Sequence, residues 1–157
     1  MLNRTYDGQI CSIARTLEVV GERWSLLIVR DAALGLQRFH QFQQSLGIAR
    51  NILSDRLHHL VNSGVLERVP AGDHTDRFEY QLTSMGRELA PALIALMHWG
   101  DRHFAEHGPP RIVEHAGCGG ELVEQLVCSK CAAVVPSDQV QSRPGPGLHA
   151  PHAPHPS

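Results

Sequence analysis

Lysine is almost missing from this 157-residue chain: Lys130 is the only one, so nearly all of the 14 basic residues are arginine. Aromatic residues are also scarce, at 5%. No charge of one sign dominates, since 14 basic residues face 16 acidic ones. Bulk electrostatics therefore neither announces nor excludes a nucleic-acid partner, and any such case must rest on local charge. Long hydrophobic runs are absent too. The most apolar window, residues 89–97, is about half of what a bilayer span needs and contains Pro91. Residues 1–7 lack the apolar run of a signal peptide, so the expectation is a cytoplasmic protein with no membrane partner. Cysteine is limited to four, Cys11, Cys118, Cys128 and Cys131, and a reducing compartment argues against pairing them as disulfides. The length excludes a barrel enzyme or a two-domain dehydrogenase. It fits one average domain with a small appendage.

Composition divides the chain into three regions. A main domain covers residues 1–108 and ends at Gly108-Pro109-Pro110, which stops a helix and stiffens the chain beyond it. A cysteine module covers 111–138. A tail, 139–157, carries five of the ten prolines and His149, His152 and His155, and reads as a disordered, solvated segment. No internal repeat is apparent.

In the main domain the helical period dominates. Ile13, Leu17 and Val20 form one apolar stripe. Helices are predicted at 24–31, 38–46 and 49–63, the last with Leu53, Leu57, Leu60 and Val61 on one face and Gly64 as its stop. Two strand-like runs, 65–69 and 77–82, flank a loop at 70–76. Thr83 then caps a long helix over 84–106, with Leu89, Leu93, Leu96, Gly100 and Phe104 at near-heptad spacing. A short helix and an amphipathic helix across a glycine turn make a helix-turn-helix candidate, and a hairpin directly after it is a wing. A helical bundle with an incidental hairpin has the same element order.

A helix that reads DNA must present polar side chains near its N-terminus, where it enters the major groove. Arg50, Asn51 and Ser54 occupy that place. Arg38 adds local positive charge, and Arg56 lies further along beside His58 and His59, where phosphate or solvent is the neighbour. Arg68 and Arg77 flank the wing loop, suited to backbone or minor groove. A solvated polar face would show similar residues.

The segments Cys11-Ser12-Ile13-Ala14-Arg15, Val20-Gly21-Glu22-Arg23-Trp24, Leu26 to Asp31, Arg38 to Phe42, Ile48 to Leu57, Gly64-Val65-Leu66, Tyr80 to Thr83, Gly86 and Trp99-Gly100 resemble HxlR-type, MarR-related transcriptional regulators. The resemblance spans about residues 10–100. It implies a winged-helix homodimer, joined through the first helix and helix 84–106. It implies binding to partly palindromic double-stranded operator DNA, most simply as a repressor, with an effector possible but unidentified. By position it places Arg50, Asn51 and Ser54 on bases and Arg77 on the wing. Two positions depart from the pattern: Ser12 replaces a common proline, and Ala49 offers no capping oxygen to the recognition helix. Cys11 corresponds to a cysteine that senses oxidants in some members, which needs a thiolate favoured by a cation or helix N-terminus. Arg15 lies one turn on. A packed, inert thiol is the plainer role.

His115-x2-Cys118 and Cys128-x2-Cys131 have the spacing of a four-ligand zinc site. Two tight turns would complete a closed, structural tetrahedron with one Zn2+ per chain, joined by strands at 121–127 and 132–135. A redox-active Cys-x2-Cys without His115 is the competing use. The expected fold is thus mainly α with a small β-hairpin wing, a winged helix-turn-helix domain followed by a small zinc-binding β module. No nucleophile motif, phosphate loop or open metal signature points to an enzyme. The rival function is a zinc-ribbon adaptor whose winged helix binds protein.

Overall fold

The computed structural model describes residues 6, 8–72 and 74–149, with the side chains of 74–76 and 149 left aside. The end of the tail, 150–157 with His152 and His155, lies outside the described residues.

Among the described residues, six helices and one hairpin make the main domain: α1 (Ser12–Val20), α2 (Ser25–Ala33), α3 (Phe39–Leu46), α4 (Arg50–Asn62), β1 (Leu66–Ala71), β2 (His74–Leu82), α5 (Ser84–Arg87) and α6 (Ala90–Phe104). Leu53, Leu57 and Leu60 recur on the inner face of α4 and are fully buried. They meet Val20, Ile28, Val29 and Phe42 from the first three helices and Leu66 and Leu82 from the hairpin. This one cluster fixes α4 against the rest, so its opposite face is left outward. The mainly helical, winged architecture is the one expected.

Two elements differ from the sequence reading. The hairpin is longer: β1 and β2 are antiparallel with Leu66 opposite Leu82 and Pro70 opposite Phe78, and the register shifts between Pro70 and Ala71. A two-stranded sheet has only edges, so Pro70, which has no N–H, can sit in it. The expected loop at 70–76 accordingly shrinks. The expected helix 84–106 is two helices, because Pro91 cannot donate to the carbonyl one turn back and suits a first turn instead. Thr83 caps only α5: its Oγ1 accepts from the Gly86 amide at 3.0 Å and donates to the Gly64 carbonyl at 2.6 Å.

Beyond α6, no described side chain from 111 to 140 is buried. The expected strands at 121–127 and 132–135 are reduced to two isolated antiparallel bridges, Glu114 with Glu121 and Val127 with Val134. Each knuckle folds back on itself, so the backbone pairs within each turn instead of running on between them. The first described part of the tail holds short 3-10 turns, Ser137–Gln139 and Pro146–His149.

Candidate nucleic-acid interface

The N-terminal face of α4 is set by what holds its rear. Besides the buried leucines, Arg56 pairs with Glu22 at 2.9 Å. His59 Nε2 lies 3.2 and 3.1 Å from the carbonyls of Glu18 and Val19, at the end of α1. Both side chains therefore face the α1–α2 corner. Sequence spacing puts Arg56 on the DNA side; its structural neighbour is a carboxylate, which takes it out of the exposed set. The signal that could have located it is the i, i+3 offset from Leu53 to Arg56, which carries it beside the buried stripe.

Arg50, Asn51 and Ser54 are exposed on the outer side. The Arg50 guanidinium lies 4.9 Å from the Phe39 ring centroid, a cation–π contact that orients the fork without consuming its donors. Ala49 provides no side-chain cap, so the first amides of α4 keep their hydrogens for an incoming acceptor. Beside α3 stands the wing. Arg68 lies over Phe78 at 3.7 Å. Arg38 Nε bonds Glu79 Oε1 at 3.3 Å, tying the start of α3 to β2. Gln37 also reaches the wing, its carbonyl accepting from the Tyr80 amide at 2.7 Å. Arg38, Phe39, His40, Arg77 and Phe78 line a recess of about 270 Å³ between α3 and the hairpin. The structure thus brings Arg38, Arg50 and Arg77 to one side of the domain. Arg38 is partly neutralised there by Glu79.

Cys11 is exposed at the N-cap position of α1. The nearby cation expected for it is directed elsewhere: Arg15 bonds both Glu18 oxygens at 3.1 Å.

In the module, His115 Nδ1 lies 3.3 Å from Cys118 Sγ. The amides of Cys131 and Lys130 and the Cys131 thiol point at Cys128 sulfur and hold its thiol below the ordinary range. The expected four-ligand set is not assembled: among the described residues, no three histidine, cysteine, aspartate or glutamate side chains are gathered closely enough to hold an ion. The two pairs are formed separately, because each is organised by its own turn.

The link between these pairs docks on α6. Glu124 bonds His98 and also reaches Arg102 Nη1 at 3.4 Å. The His98 hydrogen bond, foremost, holds the Glu124 carboxyl below its usual value. A carboxyl depressed in this way contributes where it is ionised, and the contribution fades as pH falls through its lowered value. The docking of residues 121–127 on α6 should therefore loosen under acid. Hydrogen exchange of that segment checks it: Glu124→Gln should exchange fast at neutral pH already and change little further on acidification.

With α4 and the wing placed, likeness to known proteins decides the family. The HxlR-like helix-turn-helix family matches residues 19–108. The chain belongs to that family. Among relatives, it is 42% identical over 150 residues to Rv3095 of Mycobacterium tuberculosis, an uncharacterised HTH-type transcriptional regulator, covering 95% of this chain and 94% of that one. The crystal structure of PA1607, described as a transcription factor, matches with a TM-score of 0.79 at 38% identity, covering 87% of this chain and 96% of that one. A MarR-family transcriptional regulator from Enterococcus faecalis matches at TM-score 0.52 and 32% identity, over 60% of this chain and 86% of its own. HxlR-type proteins are DNA-binding regulators of transcription, so this chain is a regulator rather than an enzyme. The likenesses to Rv3095 and PA1607 cover more than residues 1–108 could supply, so they continue into the cysteine module. Among the described residues no helix is long and apolar enough to cross a membrane.

Proposed function

We propose that this HxlR-type regulator is a homodimeric repressor that reads a partly palindromic operator through the N-terminal face of α4. One observation carries the reading. Arg50, Asn51 and Ser54 are exposed together at the uncapped start of a helix whose rear is fixed, with wing arginines beside them. Arginine makes paired bonds to guanine and asparagine to adenine. Arg38, Arg68 and Arg77 suit phosphate.

Pairing of two copies is supported by apolar surface that the single chain leaves outside. Ile10 and Ile13 at α1 are 54% and 70% exposed, and Leu96, Trp99 and Phe104 of α6 are 53%, 51% and 73% exposed. Leu89 and Leu93 pack on the core, so the heptad-like stripe divides into an inner and an outer half. A two-fold seam through α1 and α6 would place two α4 helices on successive major grooves. Occupancy of promoter DNA by such a dimer blocks polymerase, which is why repression is the proposed sign.

An effector, if one binds, is proposed to act in a single cleft. A cleft of about 410 Å³ lined by Ala32, Gln37, Tyr80, Gln81, Arg87 and Leu93 joins the wing side to the seam side, and a small molecule seated there would change the angle between them. Cys11 is exposed at the start of α1, but Arg15, the cation that would favour its thiolate, is engaged by Glu18, so no oxidant sensing is proposed for it.

The test is binding to duplexes that the protein itself selects from a random pool, measured across salt concentrations. Log affinity should fall linearly with log salt, by about 0.9 for each phosphate neutralised. Failure to enrich any sequence, or a flat salt response, would favour the adaptor role instead.

A further inference from the structure

The cysteine module is built twice. Shifted by 13 positions, residues 113–122 and 126–135 share three backbone hydrogen bonds. The His115 amide donates to the Gly120 carbonyl and the Cys128 amide to that of Ala133, at 2.8 and 2.9 Å. Gly119 donates back to His115 and Ala132 back to Cys128, at 2.7 and 2.8 Å. Leu122 donates to Val113 and Val135 to Leu126, at 2.9 and 2.7 Å. The bridges Glu114–Glu121 and Val127–Val134 coincide under the same shift. The sequence hides this repeat, because only Cys118 and Cys131 are identical at matched positions of the two turns.

In each copy the residue after the second donor lies in the left-handed region, Gly119 at φ 71° and Ala132 at φ 57°. Glycine adopts that conformation freely; alanine does so only when its surroundings impose it. The turn that strains Ala132 also aims the amides of Lys130 and Cys131 at Cys128 sulfur. Such turns present two donors on one side and surround sulfur with N–H groups, an arrangement suited to a metal thiolate. Burial cannot explain the order, since no described side chain from 111 to 140 is buried. About 25 residues without a core need a covalent or metal cross-link. The link Val123-Glu124-Gln125 is three residues long, and Glu124 pins it to α6. The two turns are joined directly through that link.

We propose that these duplicated turns are two halves of one zinc site, in which His115, Cys118, Cys128 and Cys131 of a single chain close on one Zn2+. The ligand chemistry is borderline-soft, so Glu114, Glu121 and Glu124 are poor competitors for the ion. All four positions are filled from the protein, which makes the site structural. Lys130, the chain's only lysine, sits inside the second turn and offsets thiolate charge.

The test uses the full-length chain purified under reducing conditions, with zinc as the probe. Elemental analysis should give one zinc per chain, and X-ray absorption should show three sulfurs at about 2.3 Å and one nitrogen at about 2.0 Å. Cys118→Ser and Cys128→Ser should each weaken zinc by more than about tenfold. His115→Cys should keep one zinc with an all-sulfur shell. Three results would each overturn the site: no zinc retained after equimolar zinc is supplied, zinc retained unchanged in Cys118→Ser, or a Cys128–Cys131 disulfide in the freshly reduced and repurified protein. None of these readouts involves DNA, so they are independent of the operator reading.

Discussion

Arg50→Ala is expected to abolish operator discrimination while leaving the fold intact. Arg50 is exposed, with its guanidinium 4.9 Å from the Phe39 ring. Removing it takes nothing from the buried cluster around Leu53, Leu57 and Leu60. A good bidentate base contact discriminates by about 1–3 kcal/mol. The proposed two-fold dimer loses it twice, so the selected operator should bind about 30- to 20,000-fold more weakly, while random DNA changes far less. Arg50→Lys keeps the charge but not the planar fork, and should recover non-specific affinity without recovering discrimination. Arg68→Ala should behave in the opposite manner, weakening all duplexes alike and lowering the salt slope by about one per subunit. Titrations of specific and random duplexes by the three variants separate the roles. Equal losses on both kinds of DNA in Arg50→Ala would reassign this residue to phosphate.

The largest effect on stability is expected at Gly86. Its α-carbon sits so close to the end of α4 and the start of β1 that a Cβ would lie 2.2 Å from the Val65 carbonyl oxygen and 3.0 Å from Leu82 Cδ2. The first neighbour is backbone and cannot swing aside. Gly86 is also the residue whose amide Thr83 caps, so moving it breaks the bond that starts α5. Gly86→Ala should cost about 3 kcal/mol, the upper end for forcing an extra carbon into a packed interior. For a main domain of this size that lowers the thermal midpoint by roughly 10–20 °C. Thermal melting by circular dichroism measures it. A midpoint unchanged in Gly86→Ala would mean that α5 does not pack as described.

Gly86 also shows how far sequence carries. In the sequence it stands out only as one position in a family pattern, and no local rule requires it, because its constraint comes from Val65, far back along the chain. The helices of the main domain follow from short-range periodicity, and Leu53, Leu57 and Leu60 need nothing more. The division of 84–106 is written in Pro91, but the apolar spacing on both sides masks it. Arg56 and His59 look like any polar residues on an amphipathic helix, and only the arrival of Glu22 and the α1 carbonyls explains them. In the module, the spacing of histidine and cysteine is plain in the sequence. The repeat of backbone bonds is not, since hydrogen bonds between amides leave little trace in side-chain identity.

Packing and the proposed DNA reading meet in α4. Its inner face carries the leucines that make the core, its rear flank is tied by Arg56 and His59 to the α1–α2 corner, and its outer start is offered to solvent. α1 also carries Ile13 and Leu17, exposed on the side assigned to a second copy. The same short helix thus touches α4 and bears part of the proposed seam, so in the proposed dimer the two are linked through the contacts of Glu22, Glu18 and Val19.

The decisive measurement is photo-crosslinking to the protein's own selected duplex, with a photoreactive side chain placed at Asn51 in one sample and at Leu96 in another. Covalent attachment to bases within each half-site from Asn51, and none from Leu96, is what this account requires. DNA captured from α6 but not from the start of α4 would contradict it.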